Sequence, residues 1–300
     1  MKLFVTGVSG QLGYDVVNQA QKRGHEVVGS DISDAPKTRL SCAYAKLDIT
    51  DEKAVLDTVT EEQPDVIVHC AAWTAVDAAE EEENREKVFE INAGGTRSLA
   101  LAAKKTGCKF IYISTDYVFD GTGETPWKPD DMDYHPCNVY GASKLAGEQA
   151  VRELLEKYFI VRIAWVFGVN GNNFIRTMLK AGKNHDVLRV VNDQIGTPTY
   201  TFDLARLLLD MAESEKYGTY HATNEGGYIS WYDFACEIFK EAGYATKVIP
   251  VTSEEYGLSK AKRPYNSRLD KSKLRENGFV PLPSWQDALG RYLKETGGNI

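Results

Sequence analysis

A glycine-rich turn close to the start of the chain places the strongest constraint on its fold. The turn follows the apolar run Lys2–Thr6 and precedes a helix-like run that continues to Ala20. Glycine lets a backbone turn tightly, approach a ligand closely and pack a helix against a sheet. The N-terminus of the helix then offers unpaired N–H groups to an anion. We therefore predict a pyrophosphate-binding turn. Its members are Gly7, Gly10, Gln11, Leu12 and Gly13.

Strand-like and helix-like runs alternate through the first half of the chain. Further strands are predicted at His25–Ser30, Val66–Cys70, Phe110–Ser114 and Phe159–Phe167. Between the second and third of these, apolar residues recur at helical spacing from Val88 to Lys105. Strands separated by helices of this length form βαβ units. The pattern predicts an α/β fold with a doubly wound, Rossmann-like parallel sheet.

The pattern changes after about Gly168. The expected elements are a short helix opening at Asn172–Phe174, a strand at Leu188–Val191, helices at Phe202–Met211 and Trp231–Ala242, a strand at Lys247–Val251 and a helix at Trp285–Lys294. We predict a dinucleotide-binding domain over residues 1–168, with later contributions from about 187–225. Residues 169–300 are expected to form mainly a smaller, substrate-binding domain.

Composition excludes several classes of function. The 300 residues carry a net charge of −8, which argues against a nucleic-acid or anionic-membrane binder. No apolar run approaches the roughly 18 residues of a membrane helix. The N-terminus enters a strand directly, so no signal peptide is expected. Five cysteines without a C-x-x-C pair indicate reduced thiols in a cytoplasmic protein, and the five histidines form no metal-binding spacing.

Asp31 lies eighteen residues beyond Gly13, at the end of the second predicted strand. An acidic side chain at this place can accept hydrogen bonds from an adenosine ribose, which favours NAD. Lys37 and Arg39 follow closely and can accommodate a 2′-phosphate. The choice between NADH and NADPH therefore stays open.

Tyr140 and Lys144 are four residues apart and share one face of a predicted helix. An ammonium beside a phenol, joined by the positive charge of an oxidised nicotinamide, is expected to lower the phenol's pKa, so that Tyr140 can protonate a carbonyl oxygen. Thr115, at the end of a parallel strand, can hydrogen-bond the same oxygen. A second pair, Tyr256 and Lys260, has the same spacing. It lies far from the nucleotide turn, and we interpret it as a chance match.

These residues resemble the extended short-chain dehydrogenase/reductase family along nearly the whole chain. The motifs are Gly7-x-x-Gly10-x-x-Gly13, Pro64–Val68, Ala71–Asp77, Ser114–Phe119, Asn138–Glu148, Asn172–Phe174, Asn192–Thr199 and Arg263–Ser267. The combination of the later motifs is typical of a branch that reduces sugar nucleotides. The resemblance implies NADPH- or NADH-dependent reduction of the 4-keto group of dTDP-4-dehydro-β-L-rhamnose to dTDP-β-L-rhamnose.

The resemblance also assigns roles to matched residues. Thr115, Tyr140 and Lys144 would be the catalytic residues, with Lys144 also holding the nicotinamide ribose. Further cofactor contacts would come from Asp48, Ile49, Ala71, Ala72 and Thr74. The positions that face the sugar would be Asp116, Tyr117 and Trp165. Related dehydratases carry a second acidic residue after the position of Asp116, and Tyr117 stands there instead, which argues against dehydration.

The substrate diphosphate needs cations that an acidic chain must concentrate locally. The basic stretch over residues 260–275 offers Arg263 and Arg268, with Arg189 in reserve. The alternative is a solvated surface strip. Asn172, Asn173 and Gln194 are further substrate-binding candidates that can equally cap turns.

Two further implications and two alternative functions stay open. The resemblance allows a homodimer with a magnesium ion, for which Asp15 is one matched position, although no local sequence pattern supports the metal. Another nucleotide-sugar reductase or epimerase, or a regulatory subunit that binds nucleotide without turnover, is also compatible with the sequence. In each case the expected partner is a small molecule, neither nucleic acid nor membrane.

Overall fold

The computed structural model describes residues 1–297. Its strands, in chain order, are β1 Lys2–Thr6, β2 Glu26–Asp31, β3 Ala43–Lys46, β4 Val66–His69, β5 Lys109–Thr115, β6 Tyr158–Ile163, β7 Val166–Phe167, β8 Val187–Val191, β9 Ile195–Gly196, β10 Thr199–Tyr200, β11 Gly218–His221, β12 Ile229–Ser230 and β13 Lys247–Val251. Most of these strands belong to one sheet.

The helices cover the faces and one end of that sheet. They are α1 Gln11–Lys22, α2 Glu52–Glu62, α3 Glu82–Phe89, α4 Thr96–Thr106, α5 Val139–Leu154, α6 Phe174–Asn184, α7 Thr201–Ala212, α8 Trp231–Ala242, α9 Ser253–Tyr256, α10 Ser272–Glu276 and α11 Trp285–Glu295. No helix in the described range has the length and hydropathy to cross a membrane.

The main sheet has seven parallel strands in the order β11-β6-β5-β4-β1-β2-β3. Strand β1 lies between β2 and β4, so the winding reverses direction at β1. In open sheets of this kind, ligands bind at the carboxyl ends of the strands beside such a reversal. The predicted doubly wound α/β fold is confirmed.

Two apolar layers sandwich the sheet because alternate residues of a strand face opposite sides. Leu3 and Val5 pack with α1 and α7, whereas Phe4 packs with α2, α4 and α5. All three side chains are fully buried. A third apolar layer joins α6, α8 and α11 in the C-terminal part.

The predicted helix from Val88 to Lys105 is wrong as one continuous element. A π-helical turn at Glu90–Gly95 separates α3 from α4. The Asn92 side chain bonds the backbone of Trp73, and a Cβ at Gly95 would lie 2.6 Å from Ile49 Cγ1. These tertiary contacts favour the inserted turn, and π-turns of this kind are frequent at functional sites.

The predicted strand Phe159–Phe167 is also interrupted. Strand β6 ends at Ile163, and β7 pairs with β10 outside the main sheet. Between them, Trp165 has a left-handed backbone with φ of 51°. A bulky residue rarely adopts this conformation, so the surroundings must hold it there. Its indole stacks on Trp231 with ring centroids 3.7 Å apart.

The second half of the chain contributes to both parts of the molecule. Within the predicted contribution of residues 187–225, β11 is a strand of the main sheet and α7 packs against that sheet. Strand β8 instead pairs with β13 away from it. The strands β3 and β11 and the helix α2 were missed by the sequence analysis. Strand β3, for example, has no buried residue and therefore lacks an apolar strand pattern.

Candidate active site

A cleft of about 1000 Å³ opens at the carboxyl ends of the parallel strands. Most of the predicted site residues line it, although they come from widely separated segments. They are Gly7, Gly10, Gln11, Leu12, Gly13, Asp31, Asp48, Ile49, Ala71, Ala72, Thr74, Thr115, Asp116, Tyr117, Tyr140, Lys144, Trp165 and Asn172. The size is at the upper end of the usual range for ligand pockets.

The glycine turn forms one end of the cleft. Gly7 has a left-handed φ of 70°, and a Cβ there would lie 2.6 Å from the Ala71 nitrogen. A Cβ on Gly13 would lie 2.4 Å from the Gly7 carbonyl oxygen. Helix α1 then begins at Gln11 without a side-chain cap, so its first N–H groups are free to bind an anion. This geometry fits the pyrophosphate of a dinucleotide.

Asp31 connects the glycine turn to the end of β2. Its two carboxylate oxygens accept hydrogen bonds from the backbone nitrogens of Ser9, at 3.0 Å, and Ile32, at 2.9 Å. The carboxylate keeps further lone pairs, and Asp31 lines the cleft. Lys37 lines the same region. An acidic and a basic side chain therefore both lie at the adenosine end.

Asn92 positions the loop that follows β4. Its Oδ1 accepts from the Trp73 nitrogen at 2.8 Å, and its Nδ2 donates to Ser143 Oγ at 2.9 Å. Ser143 Oγ in turn donates to the Tyr140 carbonyl oxygen at 2.7 Å. The sequence analysis missed Asn92. The local sequence carries no signal for this contact, because its partner Trp73 lies nineteen residues away.

The three predicted catalytic residues meet in this cleft. Tyr140 and Lys144 lie on α5, whose start is capped by the Asn138 side chain. Thr115 ends β5; its Oγ1 donates to Asp116 Oδ1 at 2.9 Å and accepts from the Tyr117 nitrogen at 3.2 Å. The fixed hydroxyl lies where a substrate carbonyl would face Tyr140.

The predicted lowering of the Tyr140 pKa belongs to the site with an oxidised nicotinamide bound and stays a prediction. Burial raises the pKa of Tyr140 above its usual value, the Asp116 carboxylate adds to the rise, and the Thr115 hydroxyl opposes it. Burial also lowers the pKa of Lys144 to about 7. A low-dielectric site penalises the charged form of each group, which weakens the expected help from the ammonium to the phenolate.

Asp116 lines the cleft with an almost fully buried carboxylate. The residue is 3% exposed, and its buried Oδ2 has no hydrogen-bond partner of good geometry among the described residues, although the nearby Ser267 hydroxyl lowers the pKa of the carboxyl group. Burial raises the pKa of Asp116 to about 6. A buried polar atom without a partner is costly, so this oxygen is suited to accept a hydrogen bond from a ligand hydroxyl.

A smaller pocket of about 270 Å³ lies beside the cleft. Trp231 lines both cavities and forms part of the wall between them. The smaller pocket brings together the predicted Arg189, Gln194 and Arg263. Its other lining residues were not predicted and are mostly apolar: Asp77, Phe174, Met178, Val190, Val191, Tyr256, Leu258 and Ser259. Cations beside apolar walls suit a nucleoside diphosphate.

Asp77 anchors the basic segment to this pocket. Its Oδ2 lies 2.7 Å from Arg263 Nη2, and its Oδ1 accepts from the backbone nitrogens of Lys260 and Ala261. Arg263 Nη1 also donates to Tyr117 Oη at 3.4 Å. The guanidinium therefore connects the smaller pocket to an aromatic side chain of the cleft.

Two predicted substrate residues lie outside both pockets. Asn173 caps α6, and its amide donates to Gln11 Oε1, Gly168 O and Tyr292 Oη. Arg268 donates to Asn266 Oδ1 at 3.0 Å. In both cases the side chain is hydrogen-bonded within the chain, and the role of these two residues in substrate binding stays a prediction.

The second Tyr–Lys pair does not act as a unit. Tyr256 lies in the smaller pocket, whereas the Lys260 ammonium pairs with Glu81. The interpretation of the spacing as a chance match holds for the pair, but Tyr256 itself belongs to the candidate site. Its position depends on β8 and α6, which are distant in sequence.

No cluster of three or more potential metal ligands is present within residues 1–297. Asp15 is buried in α1, and its Oδ2 accepts a hydrogen bond from Thr201 Oγ1 at 2.5 Å. Burial raises the pKa of Asp15 to about 6. The Asp15 carboxylate is therefore engaged in a hydrogen bond that links α1 to α7.

Comparisons with known proteins agree with this geometry. The model of the RmlD substrate binding domain family matches residues 1–297. The chain is 40% identical to a dTDP-4-dehydrorhamnose reductase of Aggregatibacter actinomycetemcomitans, covering 96% of this chain and 97% of the relative. It is 39% identical to the spore coat polysaccharide biosynthesis protein SpsK of Bacillus subtilis, covering 98% and 97%.

A solved structure is similarly close. The dTDP-4-dehydrorhamnose reductase of Bacillus anthracis, crystallised in complex with NADP, superposes with a TM-score of 0.90 at 41% identity. The match covers 98% of this chain and 99% of that one. The similarity therefore includes the cleft, the smaller pocket and the segments that join them.

Proposed function

The chain belongs to the RmlD substrate binding domain family, and we propose that it reduces the 4-keto group of dTDP-4-dehydro-β-L-rhamnose to give dTDP-β-L-rhamnose. The observation that carries the proposal is the meeting of Thr115, Tyr140 and Lys144 in a cleft that also contains the glycine turn. The smaller pocket beside it supports a nucleotide-linked substrate.

The cofactor is NADPH or NADH, which supplies a hydride when bound. The close approaches at Gly7 and Gly13 leave the turn's N–H groups facing the pyrophosphate. Asp31 and Lys37 lie where the adenosine ribose would be held. Further contacts would come from Asp48, Ile49, Ala71, Ala72 and Thr74. The complex of the Bacillus anthracis relative with NADP supports this assignment.

Tyr140 would act as the general acid. When the ketone is reduced, its oxygen gains negative charge, and the phenolic proton of Tyr140 neutralises it. The raised pKa keeps Tyr140 protonated at neutral pH, so the donor is always loaded. The Thr115 hydroxyl would orient the same oxygen. Lys144 would hold the nicotinamide ribose and stabilise the phenolate that remains.

The sugar would occupy the part of the cleft nearest the smaller pocket. Asp116 Oδ2 would accept a hydrogen bond from a sugar hydroxyl, which satisfies its unpaired oxygen. The indole of Trp165 and the ring of Tyr117 would pack against the sugar, and Asn172 would line the far side. Dehydration is not proposed because Tyr117 occupies the position of a second acid.

The nucleoside diphosphate would enter the smaller pocket. Arg263 and Arg189 would bind its phosphates through charge-assisted hydrogen bonds. For Arg263, these bonds would replace the ion pair with Asp77. Gln194 is held by a hydrogen bond from its Nε2 to Ser253 Oγ, at 2.9 Å, so its amide is already oriented. A preorganised amide costs little side-chain entropy on binding.

The domain organisation and location complete the proposal. Residues 1–168, together with α7 and β11, would form the dinucleotide-binding part, and the remainder would bind mainly the substrate. A cytoplasmic enzyme is supported by the five cysteines, which are all free thiols. The partner is the small nucleotide sugar.

The proposal is tested by mixing the purified protein with dTDP-4-dehydro-β-L-rhamnose and NADPH. We expect the cofactor absorbance to fall and the product to have the C4 configuration of L-rhamnose. Other 4-keto sugar nucleotides should react more slowly. Faster turnover of a sugar nucleotide with a different hexose would identify that compound as the substrate. Dinucleotide binding without turnover of any 4-keto sugar nucleotide would favour a regulatory role.

A further inference from the structure

Glu148 lies one helical turn beyond Lys144 on α5 and is completely buried. Arg162 binds it through two hydrogen bonds, from Nε to Oε1 and from Nη2 to Oε2, both at 2.8 Å. Arg152 Nη2 lies 2.9 Å from Oε2, and Ser114 Oγ donates to Oε1 at 2.6 Å. Four contacts thus converge on one carboxylate that does not reach the cleft.

The contacts connect the segments that bear the candidate active site. Ser114 directly precedes Thr115 at the end of β5. Arg162 lies on β6, three residues before Trp165. Helix α5, which bears Glu148 itself, also presents Tyr140 and Lys144. Loss of this carboxylate would leave the buried Arg162 cation with neutral partners only and would remove these links of β5 and β6 to the helix.

Few groups of the protein stabilise the positive charge of the Lys144 ammonium. The residue is 3% exposed, and its Nζ makes no hydrogen bond to any residue in the described range. Nζ lies over the Tyr112 ring, 4.1 Å from the centroid. Burial lowers the pKa of Lys144 to about 7, and the charge of Glu148 opposes that shift. Nearby anions therefore decide its charge at neutral pH.

Glu148 is the anion that meets this need. His69 on β4 is neutral because burial lowers its pKa to about 3. Cys70 is neutral because burial raises its pKa to about 12, and burial also raises the pKa of Tyr112 on β5. The Glu148 carboxylate stays charged because its hydrogen bonds and cations hold its pKa below the usual value.

Two guanidinium groups flank the Glu148 carboxylate. Arg152 and Arg162 bind it directly, at 2.9 and 2.8 Å. Tyr140, on the same helix face, is neutral because its own pKa is raised. Among the neighbouring groups, Glu148 raises the pKa of Lys144 most, ahead of Cys70.

We propose that Glu148 is the positioning residue of this active site: its carboxylate joins β5, α5 and β6 and supplies the anion one helical turn from the Lys144 ammonium. The inference rests on the proposed function for the role of Lys144 in holding the nicotinamide ribose. Glu148 acts through Lys144 and Ser114, without touching substrate or cofactor.

The electrostatic part is tested with Glu148→Gln, which keeps the shape and removes the charge. Without the anion, Lys144 loses its proton at lower pH. The alkaline limb of kcat/KM for the nucleotide sugar should move downward by at least about 0.3 pH units, the displacement expected of an i, i+4 ion pair. Dinucleotide affinity, measured by fluorescence titration against pH, should show the same displacement.

Matched variants separate charge from mechanical support. Glu153→Gln removes the same charge from the exposed side of α5, and both the acidic and the alkaline limb of the kcat/KM profile should stay at their wild-type pH. Ser114→Ala releases β5 without a change of charge, so kcat should fall about tenfold while the limbs stay at their wild-type pH. Glu148→Asp keeps the charge and shortens the reach, so it should lower kcat without displacing the limbs.

The outcomes are distinct. An alkaline limb at the wild-type pH in Glu148→Gln refutes the electrostatic part, and an unchanged kcat in Ser114→Ala refutes the positioning part. If Glu148→Gln does not fold, Glu148→Asp decides the electrostatic part, because a displaced limb with the charge retained would contradict it. If the wild-type protein reduces no 4-keto sugar nucleotide, the proposed function fails, whereas the dinucleotide titration still tests Glu148.

Discussion

Substitution of Gly13 by alanine tests the interpretation of the glycine turn. The added Cβ would lie 2.4 Å from the Gly7 carbonyl oxygen, 2.8 Å from the Gly7 carbonyl carbon and 2.9 Å from the Val8 Cα. All three are backbone atoms, so no side-chain rotation can relieve the overlap. Ordinary C···O contacts are about 3.3 to 3.6 Å, so the turn must move by about 1 Å.

A displacement of this size has two consequences. Overpacking of this kind destabilises a protein by about 1 to 3 kcal/mol. Misplacement of a bound group by about 1 Å can cost about 10²-fold in rate, so we expect kcat/KM for the dinucleotide to fall by up to that factor. Equilibrium unfolding in urea and steady-state kinetics measure the two effects separately.

Gly290 provides a matched control within another helix. It lies in α11, and an added Cβ there would meet no atom within 4 Å. Gly290→Ala should leave the kinetics unchanged and stabilise the protein by about 0.5 to 1 kcal/mol, because alanine loses less conformational entropy. If Gly13→Ala binds dinucleotide as tightly as Gly290→Ala, the assignment of the turn as the pyrophosphate site is refuted.

Three further substitutions test individual roles. Tyr140→Phe should lower turnover by about 10²- to 10⁴-fold with little change in dinucleotide affinity, since only the proton donor is lost; Tyr217→Phe is the control, and equal effects in the two assays would contradict the assignment. Asp31→Ala should weaken the binding of NADH more than that of NADPH in a titration, because only NADH has a free 2′-hydroxyl on its adenosine ribose. An equal loss of affinity for the two dinucleotides would mean that Asp31 does not contact the 2′ position. Arg263→Gln should raise KM for the nucleotide sugar about tenfold to a hundredfold, the usual cost of a lost charged hydrogen bond, whereas Arg268→Gln should not change it; a reversed pattern would place the diphosphate elsewhere.

The main sheet could be predicted because its strands have a simple pattern. Strands buried on both faces form continuous apolar runs, and Val66–His69 is a clear example. The helix over Trp231–Ala242 was predicted with its observed bounds because its apolar residues recur at helical spacing. Such patterns depend on neighbours in the chain.

The interruptions could not be predicted in the same way. The π-helical turn at Glu90–Gly95 forms where Asn92 bonds the backbone of Trp73, nineteen residues away. Trp165 adopts its left-handed backbone while its ring stacks on Trp231. Each distortion is stabilised by a contact with a distant segment, and the local sequence gives no sign of that contact.

The sequence by itself determined the glycine turn, the order of strands and helices and the spacing of Tyr140 and Lys144, because these depend on backbone freedom and helical period. Only the tertiary structure decided the charges in the site. Burial raises the pKa of Tyr140, and Asp77 came to pair with Arg263 across 186 residues. Desolvation and ion pairing depend on what surrounds a group in space, which is set only when the chain is folded.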